Sequence, residues 1–406
     1  MSAALAPEDL RADPNPLAPD YSRFRVGERL LLSGHSHQAW PDVALEGQVE
    51  AFDDAALQVD DKWARAFAKA DAVREAIGAL LGDPGGEIAL GQNTHELVVR
   101  FLSALDLRGR PRLVTTDGEF HTLRRQLARL GEAGLEVVRL NAAPAATLAN
   151  RLAAAVDGRT AAVLVSAVLY ETAHVVPGLG ALADACAARG AELLVDVYHA
   201  LGPRRVSLPA LGLQTAWVTG GGYKYLQLGE GNCYLRLPPQ AADSRPVITG
   251  WFAEFDALAA APDPQRSVPY GAPASRFAGA TYDPTSHYRA ARVIAFFAAR
   301  GLTPAVLEAS YRHQVDLLQR EVDALGLPDD VLTRDRDALP DALGGFLALE
   351  SPRAGDMQRA LAEQGVASDS RGRYLRLGPA PYLSDDQLRE AVARLGRVAT
   401  EVVAKL

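Results

Sequence analysis

A lysine that follows three consecutive glycines is the residue in this sequence best suited to chemistry. Gly220-Gly221-Gly222-Tyr223-Lys224 follows an apolar run that contains Trp217 and Val218, and Tyr225 comes directly after the lysine. Glycines cost backbone entropy on folding, so three in a row suggest that another group approaches the backbone closely. Lysine is rarely buried unless it is paired or chemically engaged, and a desolvated lysine amine is nucleophilic. The stretch predicts either a Schiff-base lysine or, more simply, a surface loop with a lysine extended into solvent.

Two features upstream of Lys224 favour the first alternative. Asp196 ends an apolar run, where a carboxylate is costly to bury without a partner such as a protonated ring nitrogen or an arginine. Asn93 and Glu96 form a capping-box-like helix start that contains Thr94, and the free amides of such a start suit a phosphate. The order and spacing of these features fit one ligand, pyridoxal 5′-phosphate (PLP). The lysine would form an imine with it, the aspartate would keep its ring nitrogen protonated, and the helix start would hold its phosphate.

The segments around these residues predict an α/β fold with a mostly parallel sheet. From about residue 86, short apolar runs alternate with helical stretches, which is typical of βαβ units. Ligands of open α/β sheets bind beyond the carboxyl ends of the strands, and the candidate residues lie there. We predict strands near 88–90, 112–115, 135–140, 161–165, 192–196 and 216–218, and intervening helices such as 123–133, 146–156 and 179–189.

Pattern and composition divide the chain into three parts. Residues 1–45, which start rich in proline, charge and alanine, are predicted to be an N-terminal segment that packs with the C-terminal part. Residues 46–285 are predicted to form a large PLP-binding α/β domain, and residues 286–406 a small α+β domain. In the small domain we expect helices at 286–300, 303–325, 355–364 and 384–404 and strands near 344–349 and 373–377.

Bulk composition limits the classes of function. The net charge of −8 argues mildly against nucleic acid or an anionic membrane as a partner. The N-terminus lacks a signal-peptide pattern and no apolar run reaches the length of a bilayer, so we expect a cytoplasmic protein. Cys186 and Cys233 form neither a metal spacing nor a disulfide framework, and His35 and His37 lack a third ligand, so we expect no metal site.

Three motifs resemble those of kynureninase, a fold type I PLP enzyme of the class V aminotransferase group. Gly222-Tyr223-Lys224-Tyr225-Leu226 is similar to its Tyr-Lys-Tyr-Leu segment, and Asp196-Val197-Tyr198-His199 matches its Asp-x-x-His. Glu119-Phe120-His121-Thr122 resembles the stretch whose Phe stacks on the cofactor. The resemblance covers roughly residues 30 to 395 and implies a seven-stranded, mostly parallel sheet. It also implies that Asp196 binds the cofactor's ring nitrogen, with His199 beside it.

The resemblance implies further residues around the cofactor. Thr94, His95 and Tyr223 fall where the family binds phosphate, and Thr172 lies in a segment similar to its Tyr-x-Thr-Gly, near the cofactor's ring oxygen. The segment 373–382 is similar to the one whose arginine binds the substrate α-carboxylate. A planar guanidinium suits that bidentate task. We assign it to Arg376, with Arg371 and Arg373 as exposed competitors.

Two more segments imply a partner subunit. Gly250-Trp251 and Gly279-Ala280-Thr281 resemble segments that reach the phosphate of the neighbouring subunit. They imply an obligate homodimer with shared active sites, in which Trp251 and Thr281 bind cofactor.

The implied activity is hydrolytic Cβ–Cγ cleavage of L-kynurenine or a related β-keto amino acid, a reaction of tryptophan catabolism. Its catalytic residues would be Lys224, Asp196, His199 and Tyr223. The alternatives are a class V aminotransferase or another PLP-dependent lyase, and a PLP-free binding protein. A cysteine desulfurase is disfavoured because neither cysteine lies in the C-terminal loop where its nucleophile belongs.

Two segments depart from the family's pattern. Gly34-His35-Ser36-His37-Gln38 replaces Gly-Asn-Ser-Leu-Gly, and Leu228-Gly229-Glu230-Gly231 replaces Gly-Gly-Pro-Gly. Both segments border the family's substrate side-chain pocket. The sequence therefore supports the fold and the cofactor better than it supports the substrate.

Overall fold

The computed structural model describes residues 4–257 and 267–404 of the chain. Its strands are β1 (Leu30–Leu31), β2 (Ile88–Gly91), β3 (Arg112–Thr116), β4 (Glu136–Leu140), β5 (Thr160–Ser166), β6 (Glu192–Asp196), β7 (Trp217–Gly221), β8 (Cys233–Arg236), β9 (Leu347–Glu350), β10 (Val366–Ala367), β11 (Asp369–Arg371) and β12 (Tyr374–Leu377). Its α-helices are α1 (Val43–Gln58), α2 (Trp63–Leu80), α3 (Thr94–Ala104), α4 (His121–Glu132), α5 (Leu148–Ala155), α6 (Leu179–Ala188), α7 (Leu208–Leu211), α8 (Thr285–Arg300), α9 (Pro304–Ala324), α10 (Ala354–Glu363) and α11 (Asp385–Ala404).

The central sheet has seven strands in the order β2-β8-β7-β6-β5-β3-β4. Strand β8 runs antiparallel to both of its neighbours, and the other pairings are parallel. This confirms the predicted α/β fold with a mostly parallel sheet, and the six strands predicted from their apolar runs are all present. The seventh, β8, has only four residues and follows a glycine-rich turn, so its run is too short to stand out in the sequence.

Side chains alternate between the two faces of this sheet, as the two-residue period of a strand requires. On β5, Val163 and Val165 belong to one buried cluster while Ala162 and Leu164 belong to the cluster on the opposite face. A strand covered on both faces reads as a continuous apolar run, which is why β5 was predictable.

The register of the sheet brings three strand ends together. Ser166, the last residue of β5, pairs with Asp196, the last residue of β6, and Asp196 pairs with Thr219 on β7. Strand β7 then ends at Gly221, three residues before Lys224. The carboxyl edge of the sheet therefore positions Ser166, Asp196 and Lys224 as neighbours.

A third buried cluster joins both ends of the chain. Leu17 and Tyr21 pack with Leu375 and Leu388, and β1 pairs in parallel with β10. Strands β11, β12 and β9 form a small antiparallel sheet beside them. The proposed domain boundaries stay a prediction, because α8 packs closely on α1 and α2. Strands β10 and β11 were not predicted, and they are only two and three residues long.

Across the described ranges, no single helix is long and apolar enough to cross a membrane, although the pair α8 and α9, bent by 82°, meets that criterion jointly. The same ranges contain no group of three His, Cys, Asp or Glu side chains that could hold a metal ion. His35 is buried and stacks on Phe346 with ring centroids 4.7 Å apart.

Candidate active site

Lys224 lies just beyond β7 in a cavity of about 280 Å³. The glycines before it are needed for packing: a Cβ on Gly221 would lie 1.9 Å from the Tyr198 hydroxyl. The group that approaches the backbone here is thus the Tyr198 side chain. The cavity is lined by residues from five strand ends, among them Asn93, Thr94, His95, Phe120, Ser166, Tyr170, Asp196, Tyr198, His199, Tyr223, Lys224, Glu230 and Cys233.

The Lys224 amine is buried, and neighbouring groups only partly stabilise its charged form. Lys224 is 7% exposed, and its Nζ lies 2.9 Å from Nε2 of His199. Burial lowers the pKa of Lys224 to about 8, while the charge of Asp196 opposes the shift. At pH 7 roughly a tenth of such amines are unprotonated, far more than for an ordinary lysine. The amine is therefore prepared to act as a nucleophile, and the alternative of a solvent-exposed lysine is excluded.

Three aromatic rings surround this amine. Nζ lies 4.9 Å from the ring centroid of Tyr198, 5.5 Å from that of Phe120 and 5.8 Å from that of Tyr223. Ring faces at this range attract a cation and exclude water. They also supply flat surfaces against which a planar ligand can stack.

Asp196 and His199 line the same cavity, and burial shifts their pKa values in opposite directions. Asp196 is 9% exposed and accepts a hydrogen bond of 2.8 Å from the Tyr198 amide. Burial raises its pKa, although that hydrogen bond and the charge of Lys224 act to lower it. Burial lowers the pKa of His199 well below its usual value, so the ring is neutral, and its Nδ1 has no hydrogen-bond partner in the described residues. The site thus holds a carboxylate that forms no direct ion pair within the described residues, and an imidazole with a spare polar atom.

The start of α3 forms the opposite wall. Asn93 caps the helix by accepting from the Glu96 amide at 3.0 Å, as the capping-box pattern predicts. The Thr94 hydroxyl donates to the Tyr198 hydroxyl at 2.9 Å, and that hydroxyl lies 3.0 Å from Sγ of Cys233. Unpaired amides at a helix start attract anions. Tyr198 was not assigned a role from the sequence, although it lies inside the Asp-x-x-His motif.

The two segments that depart from the family's pattern meet at the cavity rim. His37 stacks on Tyr223 with centroids 5.0 Å apart, and its Nε2 lies 3.8 Å from the Glu230 carboxylate. A histidine and a glutamate therefore lie at the rim of the cavity.

Arg376 is buried but is not part of the cavity wall. It is 3% exposed, and it donates to the Asp369 carboxylate and to the carbonyl of Tyr170. Its competitors are more accessible: the Arg371 side chain lies 3.4 Å from Asp369, and the Arg373 side chain, 70% exposed, pairs with Glu350.

Three other predicted residues also lie outside the cavity. The Thr172 hydroxyl is buried and has no hydrogen-bond partner in the described ranges. Trp251 is 42% exposed, and Thr281 lines a separate cavity of about 560 Å³ together with Arg74 and Arg100. The structure thus brings Lys224, Asp196, His199, Tyr223, Thr94, His95 and Phe120 together, and it leaves Thr172, Arg376, Trp251 and Thr281 apart from them. Their roles stay predictions.

The comparisons with known proteins agree with this architecture. No protein-family model matches the chain. The uncharacterized aminotransferase YcbU of Bacillus subtilis is 22% identical over 345 residues, which are 85% of this chain and 88% of that protein. A mutant of C-DES, with glycine covalently linked to its PLP cofactor, superposes with a TM-score of 0.82 at 16% identity, over 94% of this chain and 99% of C-DES. A cysteine desulfurase from Thermococcus onnurineus gives 0.75 at 16% identity, over 99% and 100% of the two chains.

At these identities the similarity to solved structures defines the fold. The chain has the α/β fold of fold type I PLP-dependent enzymes, with a mainly parallel central sheet. A second C-DES structure, bound to cysteine persulfide and described as a cystine C–S lyase, superposes with a TM-score of 0.78 at 16% identity, over 91% of this chain and 98% of C-DES.

Proposed function

We propose that this protein is a PLP-dependent enzyme that acts on an α-amino acid. The observation that carries the proposal is the buried Lys224 amine, which lies between Asp196, neutral His199 and three aromatic rings. A buried lysine with a lowered pKa, facing a cavity, is the arrangement needed to attack an aldehyde.

The residues of the cavity fit this cofactor. Asp196 is a carboxylate whose pKa is raised by burial, and a protonated ring nitrogen beside it would stabilise its charge. Phe120 offers a ring face beside Lys224. The α3 start with Thr94, and the Tyr223 hydroxyl, supply donors suited to a phosphate. The unpartnered Nδ1 of His199 is a further polar atom without a protein partner among the described residues.

When bound, PLP would supply an electrophilic carbon and an electron-withdrawing ring that accepts the electron pair released at the substrate α-carbon. The chain's own residues would do the rest. Lys224 would hold the cofactor and would move the substrate's α-proton, since its lowered pKa lets it take up and return a proton near neutral pH. His199 accepts a hydrogen bond from Nζ and so orients the amine. Asp196 would hold the protonated ring nitrogen of the cofactor.

The reaction class is best stated at the level of a class V aminotransferase or PLP-dependent lyase. The relatives found carry the names aminotransferase, cystine C–S lyase and cysteine desulfurase, and this supports the broader alternative more than the kynureninase-type reaction. Hydrolytic Cβ–Cγ cleavage is supported by the resemblance around Tyr223, Lys224 and Phe120. A desulfurase that stores sulfur on cysteine is disfavoured, because Cys186 lies in α6 and Cys233 begins β8, and neither lies in the C-terminal loop where that nucleophile belongs.

A panel of amino acids tests the proposal. PLP-loaded protein is mixed with L-kynurenine, with L-cystine, or with an amino-acid mixture plus an α-keto acid acceptor, and anthranilate, pyruvate or the new amino acid is measured. Turnover of any one supports a PLP enzyme, and the identity of the product assigns its class. Lys224→Ala is the control variant and should show no turnover of any substrate. Activity that is equal in the variant, or absent with every substrate class and acceptor, would contradict the proposal.

We also infer that the protein is a homodimer with shared sites. Trp251 and Thr281 lie outside the Lys224 cavity of their own chain, so cofactor contacts by them would have to be made in a partner. Helix α1 adds an exposed apolar stripe at helical spacing: Leu45 is 39% exposed, Val49 50% and Phe52 73%. Exposed apolar patches of this kind mark association surfaces.

A further inference from the structure

Glu119 is the most deeply buried acidic side chain near the cavity for which the proposed reaction has no role. It is 1% exposed and precedes α4. It accepts hydrogen bonds from the Thr116 hydroxyl at 2.7 Å, from the Ser166 hydroxyl at 2.6 Å and from the Ser166 amide at 3.2 Å. Glu119 thus connects the ends of β3 and β5.

Ser166 links this carboxylate to the cavity. Ser166 lines the cavity, and in the sheet register it is the residue paired with Asp196. At pH 8, above the raised pKa of Glu119, its carboxylate is ionised and can only accept hydrogen bonds, so the Ser166 hydroxyl gives its proton to Glu119. The serine oxygen then presents only lone pairs to the cavity, at the strand position paired with Asp196.

We propose that Glu119 is a positioning residue that, by holding the Ser166 hydroxyl proton, provides a second acceptor oxygen beside Asp196 and so selects a ligand with a protonated ring nitrogen. The inference rests on the proposed function and deepens it. The charges agree with it: Asp196 and Glu119 are two buried carboxylates, and Lys224 is one cation. A protonated ring nitrogen would offset part of this negative charge, whereas a neutral ring of the same shape would not.

Cofactor affinity tests this without any activity assay. PLP and 1-deazapyridoxal 5′-phosphate, in which carbon replaces the ring nitrogen, are compared by equilibrium dialysis at pH 8. Glu119→Gln is expected to weaken PLP binding about tenfold, because the amide donates to Ser166 and turns its hydroxyl proton toward the cavity. The deaza analogue should change less than about twofold, since it has no ring N–H to lose a partner.

A double-mutant cycle separates this role from a structural one. In a Ser166→Ala background, Glu119→Gln should have no further effect on PLP binding, because both variants remove the same acceptor. Asp54→Asn is the matched control: Asp54 is also buried, but it pairs with Tyr288 and Arg65 away from the cavity. It should leave both affinities unchanged. If Glu119→Gln does not fold, the two affinities are compared in Ser166→Ala alone. That variant should also bind PLP about tenfold more weakly and should bind the deaza analogue almost unchanged.

The outcomes distinguish the two proposals. Equal loss of PLP and deaza-analogue binding, or additive effects in the cycle, would overturn the role of Glu119 and leave the proposed function standing. A wild-type protein that binds neither ligand would overturn both.

Discussion

Asp369 and Arg376 lie directly opposite each other on the antiparallel strands β11 and β12, and the guanidinium donates to the carboxylate. Burial opposes the charge of Asp369, but hydrogen bonding to His35 and the charge of Arg376 hold the pKa of its carboxyl below the usual range. Arg376 is thereby held rigidly, and its Nε has no partner in the described residues. A fixed guanidinium with a spare donor suits a carboxylate ligand.

Replacing Arg376 by lysine tests its assignment to the substrate carboxylate. Lysine keeps the charge but loses the planar fork, so KM for the amino acid should rise at least about tenfold. PLP affinity should stay unchanged, since Arg376 does not line the Lys224 cavity. Arg373→Lys is the matched control, because Arg373 is exposed and pairs with Glu350. An unchanged KM in Arg376→Lys, or a rise in the Arg373 variant, would refute the assignment.

The titration of Lys224 is a second prediction. In protein labelled with ¹³C-lysine, the Lys224 signal should titrate near pH 8 in the absence of cofactor, because burial disfavours its charge. The Asp196 carboxylate stabilises the ammonium, so Asp196→Asn should move the midpoint to lower pH. The chain has four lysines, and Lys224→Ala assigns the signal. A midpoint close to the ordinary value of 10.5, or an upward shift in Asp196→Asn, would show that the amine is not buried as described.

Glu119 makes stability depend on pH. Burial raises its pKa from 4.5 to about 7, although Ser166 and Thr116 donate to it. The native state therefore binds more protons than the unfolded state between these values, and the free energy of unfolding should fall as pH rises through this window, by about 3 kcal/mol at most. Glu119→Gln removes this dependence.

Urea unfolding of cofactor-free protein at pH 5 and pH 8 measures this pH dependence of the free energy of unfolding. The wild type should lose more stability than Glu119→Gln over this interval. Asp54→Asn is the control: burial also opposes ionisation of Asp54, but Tyr288 and Arg65 lower its pKa, so its effect should be the same at both pH values. Parallel pH dependences in the wild type and Glu119→Gln would contradict the raised pKa.

The apolar stripe on α1 predicts the oligomeric state. Sedimentation should give the mass of a dimer for the wild type, and Phe52→Glu combined with Val49→Glu should shift it toward a monomer, because charges would be buried without partners. Leu339→Glu replaces a residue that is 70% exposed in another part of the chain and should leave the dimer intact. A monomeric wild type would refute the proposed sharing of sites.

The sequence predicted the parts of the fold that depend on local patterns. The strand ending at Asp196 and the glycine run before Lys224 were visible because a doubly covered parallel strand is an unbroken apolar run. Strands β8 and β11 were not, since they have only four and three residues. The capping box at Asn93 was predictable because it involves residues only three apart.

The candidate site was predictable only where a motif marked it. The Lys224–His199 contact joins residues that the two motifs already name. The bonds of Glu119 to Ser166 and of Tyr198 to Thr94 join residues 47 and 104 positions apart, and no local pattern reports such pairs. The Asp369–Arg376 pair depends on a hairpin register that the sequence did not indicate.

The most direct test of the central claim is covalent trapping at Lys224. The protein is incubated with PLP, reduced with borohydride, digested and examined by mass spectrometry. The account predicts a phosphopyridoxyl group on the peptide that contains Lys224 and only trace labelling of Lys62 and Lys69, with no labelling of the corresponding peptide in Lys224→Ala. Labelling spread over Lys62 and Lys69, with Lys224 unmodified, would contradict it.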